Sequence, residues 1–114
     1  MPPKNNPLKL NPLQLRTLAL IQELAKVPDL AEPVGDTGGV RLTQLPHPHG
    51  NHFHIGSKVV ATSDATGLHN AAVWVALERK GLTQGQYPYM VVVTPEGLTY
   101  DTSGAGHILH GGDH

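Results

Sequence analysis

The chain has no cysteine in its 114 residues. Disulfides, thiolate zinc sites, iron–sulfur clusters and cysteine nucleophiles are therefore excluded, and any metal must be held by nitrogen and oxygen ligands. Charge is scarce too, at 15% of residues, with 8 Lys and Arg against 9 Asp and Glu. Lys4, Lys9, Arg16, Lys26, Arg41, Lys58, Arg79 and Lys80 are scattered along the chain. The concentrated basic footprint of a non-specific nucleic-acid binder is missing. No apolar run approaches membrane-spanning length and no charged-then-apolar leader opens the chain, so no membrane partner is expected and the cytoplasm is the default location. The length suits one domain with one modest core.

Histidine is abundant. Four of the eight histidines, His47, His49, His52 and His54, fall in the run HPHGNHFH. Imidazole is the commonest metal ligand and titrates near physiological pH. In a strand over Asn51–Ile55, His52 and His54 share one face while Phe53 and Ile55 share the other. Such a pair could reach one ion, with His47 or His49 across the turn at Gly50 completing a tetrahedral site and His69 or the tail as a further candidate. Zinc, nickel or copper are the ions it would take. His107, His110 and His114 sit in a glycine-rich tail and read as adventitious.

Residues 1–10 are rich in proline and asparagine and are expected to be flexible. The first helix is signed by Asn11 as N-cap, Pro12 at the first helical position and Gln14 as capping-box partner. Leu15, Leu18, Ile21, Leu24 and Ala25 recur at helical spacing, and Pro28 sets an end near Lys26. Residues 28–39 read as a linker, Val40–Leu45 as a short strand, and Lys58–Thr62 as a partner for the strand after Asn51. A helical turn at SDATGLH precedes a second helix over 70–80, stopped by Gly81 and Leu82. YPYMVVVT and LTYDT then flank Pro95-Glu96-Gly97, which predicts a β-hairpin with Gly97 at positive φ. Residues 103–114 are expected to be a disordered tail.

The stretch DATGLHNAAVWVALERKGLTQ, followed by YMVVVTPEGLTYD, resembles winged-helix transcription regulators over residues 64–102. In that family a Gly-Leu corner precedes the recognition helix, the helix closes on a "LERKGL"-like end, and a hairpin wing follows. The resemblance implies a compact α+β, winged-helix-like domain over 11–102. It would have two main helices, a short strand and a C-terminal hairpin. It also implies a nucleic-acid or protein partner met through His69, Asn70, Trp74, Arg79 and Lys80, with a homodimer as a further form. The chain departs from the family where Ala71–Leu77 runs apolar without a break. Recognition helices need a polar face near their N-terminus to reach base edges, so Trp74 and its neighbours read as core or partner interface.

His47-Pro48-His49-Gly50-Asn51-His52 is similar to the HxHxDH motif of metallo-β-lactamase-fold hydrolases, with Asn51 in place of the aspartate. The chain is too short for that fold. His52-Phe53-His54 is similar to the HxH of cupins, but the glutamate that should follow is absent. Ser57, Ser63 and Ser103 lack a nucleophile-elbow context, and Asp64 and Asp101 read as a helix cap and a strand-end residue. The expectation is a small non-enzymatic regulatory or adaptor protein that requires no cofactor. The alternative is a divalent-metal-binding protein using the histidine run.

Overall fold

The computed structural model describes residues 6–46, 50–87 and 89–111 and shows an α+β fold of three helices and two antiparallel sheets. Helix α1 (Pro12–Leu24) starts where the cap chemistry predicts. Asn11 Oδ1 accepts from the Gln14 N–H at 2.8 Å, and Gln14 Oε1 accepts from the Asn11 N–H at 3.1 Å. Two N–H groups that no helical carbonyl can reach are satisfied reciprocally. Thr17, Leu18, Ala19, Leu20, Ile21 and Leu24 are all buried, so α1 is enclosed on more than the single stripe that periodicity marks out.

The larger sheet runs in the order β1 (Ala31–Pro33), β2 (Val40–Leu42), β6 (Met90–Val93), β5 (Thr83–Gln86). The smaller runs β3 (His52–Ile55), β4 (Lys58–Ala61), β7 (His110–Gly111). β1 lies inside the segment read as linker, and β2 stops at Leu42, short of the expected Leu45. After β4, two 3-10 turns, Thr62–Asp64 and Thr66–His69, lead into α2 (Ala71–Arg79). Gly81 closes α2 at φ +77, with the Leu82 N–H donating to the Leu77 carbonyl at 3.0 Å, the predicted Schellman stop.

The expected hairpin around Pro95–Gly97 is corrected. Residues Pro95–Thr99 form α3, and β6 pairs instead with β5 and β2. Thr94 caps α3, its Oγ1 accepting from the Gly97 N–H at 3.1 Å, with Pro95 at the first position and Glu96 in the first turn. This local helix-start chemistry outweighs the turn preference of Pro-Glu-Gly. Gly97 is not at positive φ; a Cβ there would collide with the Leu82 carbonyl oxygen.

Both ends carry local structure as far as they are described. Ser103–Ile108 is a 3-10 helix whose Ala105 and Ile108 are buried. Gln22 of α1 donates to the carbonyls of Gly97 and Tyr100 at 2.8 and 2.9 Å, and its Oε1 accepts from Thr102 Oγ1 at 2.7 Å. The C-terminal stretch thus covers a second side of α1. At the other end, Asn6 bonds both polar groups of Leu10, the Tyr100 hydroxyl donates to Asn6 Oδ1 and accepts from the Leu8 N–H, and Leu10 is buried. Among the described residues no helix is long and apolar enough to cross a membrane.

Candidate functional site

Two places combine exposure with organised chemistry. The first is the outer face of β3. Strand alternation buries Phe53 and Ile55, as predicted, and turns His52 and His54 the other way. Residues two apart on a strand stand about 6.7 Å apart along the backbone, yet these rings lean together. Their centroids are 4.8 Å apart, their planes are near perpendicular at 81°, and the two Nε2 atoms are 3.1 Å apart. Asn51 Oδ1 lies 3.3 Å from His52 Nδ1. An amide oxygen only accepts, so this contact places a proton on His52 Nδ1; in the neutral ring Nε2 is then the nitrogen left to accept from His54 Nε2–H.

The other expected ligands do not all gather here. His47 and His49 lie outside the described residues. His69 stacks over Phe53 at 6.4 Å and 25°, and Phe53 leaves β3 on the opposite face from the pair. Among the described residues no group of three or more histidine or acidic side chains is placed to hold an ion together.

The second place is a groove of about 290 Å³ between α2 and β5. Its walls include Trp74, Val75 and Glu78 of α2, Gln84 of β5, and Tyr87 and Val91. The sequence of α2 is apolar from Ala71 to Leu77, but the helix is buried on one side only. Val73, Trp74 and Leu77 point inward, while Ala71, Ala72, Val75, Glu78 and Arg79 face solvent. Trp74 is 3% exposed; its indole N–H donates to the Leu68 carbonyl at 2.9 Å and its ring stacks on Tyr87 at 5.3 Å and 15°. The floor of the groove is therefore a stacked aromatic pair with its indole N–H satisfied. Val75, 46% exposed, stands on its rim, and the turn after β5 carries Tyr89, 90% exposed.

The residues expected to meet a partner have unequal positions. Trp74 lines the groove. Asn70 is committed to capping α2, accepting from the Ala72 N–H at 3.0 Å. His69 packs on Phe53, Lys80 Nζ donates to the Leu8 carbonyl at 2.9 Å, and Arg79 is exposed at the far end of the helix. Val75, Glu78, Gln84 and Tyr87 were not singled out from sequence. Val75 and Glu78 could have been, because they follow Ala71 at spacings of four and seven and so share its face. No protein-family model, curated protein or solved structure matches the chain.

Proposed function

We propose that the chain is a non-enzymatic regulatory or adaptor module of winged-helix-like architecture that engages a protein partner through the α2–β5 groove. The observation that carries this reading is the preformed groove itself, floored by the Trp74–Tyr87 stack and rimmed by exposed Val75. The order of elements supports the architecture. α1, β2, the 3-10 turn Thr66–His69, α2 and the β5–β6 hairpin succeed one another, and β2 pairs antiparallel with β6. β1 and the β3–β4 hairpin are additions to that plan, in the segment between α1 and residue 63 where the family has another helix.

Charge favours a protein over a nucleic acid. The solvent face of α2 carries one cation, Arg79, and one anion, Glu78. Elsewhere Lys26 pairs with Glu23, and Arg41 with Glu32. Phosphate backbones are positioned by clustered Lys and Arg, and among the described residues only Arg79 and Lys80 stand at the end of α2, with Lys80 bonded to the Leu8 carbonyl. A groove of about 290 Å³ holds one or two large side chains, and Glu78 is the charged residue among its described walls. The fitting partner segment carries an apolar anchor beside a lysine or arginine.

The test uses Val75→Lys, which removes the apolar rim and places a cation where the partner's cation would sit. Peptides selected by display against the intact chain, with affinities measured by fluorescence anisotropy, are expected to share that anchor-plus-cation pattern. They should bind the variant at least tenfold more weakly. Duplex DNA titrated at low salt separates the alternatives, because added positive charge would strengthen DNA binding. DNA affinity that rises in Val75→Lys, with no peptide selected, would overturn the reading. A dimer seen by sedimentation and lost in the variant would instead assign the face to a second copy.

A further inference from the structure

We propose that His52 and His54 form a two-imidazole site for a divalent transition-metal ion, Cu²⁺, Ni²⁺ or Zn²⁺, preorganised by Asn51. The site shares no residue with the α2 groove and does not depend on that reading.

The argument is geometric. Imidazole nitrogens bind such ions at about 2.0–2.1 Å, which puts two of them about 3.3 Å apart at a tetrahedral angle and about 2.9 Å apart at a right angle. The observed Nε2–Nε2 distance of 3.1 Å lies between these values. An ion bridging the two nitrogens therefore needs only a small swing of the rings, and both already converge from one strand face. The strand fixes both Cα positions and the hairpin with β4 fixes the strand, His52 opposite Ala61 and His54 opposite Val59. Most of the ordering that two flexible ligands would need is thus built into the fold.

Protonation states are half prepared as well. A metal-bound imidazole must be neutral and must offer a lone pair, and the ring's other nitrogen characteristically donates to an oxygen. His52 meets the second condition through Asn51, whose Oδ1 accepts at Nδ1. The shared Nε2–H of His54 is the proton an incoming ion displaces; His54 then carries its proton on Nδ1. Water or other ligands complete the sphere. For this nitrogen set the affinity order is Cu²⁺ over Ni²⁺, with Zn²⁺ below Cu²⁺.

The test titrates the full chain with Ni²⁺ by calorimetry and with Zn²⁺ by nitrogen-detected NMR of the histidine rings. The first equivalent is expected to move the Nε2 resonances of His52 and His54. The double variant His52→Gln/His54→Gln should weaken this first step at least tenfold, and Asn51→Ala should weaken it about tenfold, the scale for an outer-sphere partner. A variant with His107, His110 and His114 all replaced by Gln should keep it. Because His54 is exposed, His54→Gln alone serves if the double variant loses its native spectrum. Binding within twofold of the parent in the His52/His54 variants, or Nε2 shifts confined to other histidines, would overturn the proposal. So would no binding up to millimolar metal.

Discussion

Helices α1 and α2 each carry an unbroken apolar run, Leu18–Ile21 and Ala71–Leu77, yet the fold treats them oppositely. α1 is covered by the Thr66–His69 turn and α2 on one side and by Ser103–Ile108 on another, so that Leu18, Leu20 and Ile21 are all wholly buried. α2 is covered on one side only, and Ala71, Ala72 and Val75 remain in solvent. Isolated exposed apolar residues are ordinary on protein surfaces. An apolar helix face that borders a formed groove is less so, and it is where a partner gains most by excluding water. Burial of Thr17–Ile21 and Leu24 fits α1 to a scaffold, and the open side of α2 is the face on which the proposed partner contact rests.

This contrast can be broken at the scaffold first. Leu20→Ala leaves a cavity between α1 and its neighbours and should cost about 2–5 kcal/mol of unfolding free energy, measured by urea denaturation. A loss under about 1 kcal/mol would mean that α1 is not enclosed as described. Gly97→Ala comes next. Its Cβ would press on the Leu82 carbonyl oxygen, and backbone cannot step aside as a side-chain tip can. A loss of about 1–3 kcal/mol is expected, in the range of overpacked sites. A positive-φ turn at residue 97 would instead make Gly97→Asn far milder than Gly97→Ala, and the same denaturation series distinguishes the two. Smaller still is Trp74→Phe, which keeps most of the apolar area but orphans the Leu68 carbonyl. It should cost about 1–2 kcal/mol by thermal melting and loosen the groove floor.

How much of this was legible in the sequence depended on range. The start of α1 and the end of α2 are set by residues within four positions of one another, Asn11 with Gln14 and Leu77 with Leu82, and both were readable. The alternation of His52, Phe53, His54 and Ile55 was readable for the same reason. The β5–β6 hairpin was not. Thr83-Gln84-Gly85-Gln86 has little intrinsic strand preference, and it becomes a strand only by pairing with Val91–Val93. Thr94-Pro95-Glu96 carried a helix-start signature that the following glycine masked. The order of residues 103–108 was invisible because it rests on contacts of Ala105 and Ile108 with a helix some eighty residues earlier. The histidine pair was half legible: strand periodicity placed both rings on one face, but their convergence and the Asn51 contact depend on side-chain torsions that periodicity does not set.

The most direct test of the contrast is Val75→Lys with stability and partner binding measured on the same sample. A substitution at an exposed helix position should change unfolding free energy by no more than about 0.5 kcal/mol, while affinity for the selected peptides falls at least tenfold. Stability and binding that fall together would make Val75 part of the scaffold, and unchanged affinity would remove the α2 groove as the partner site.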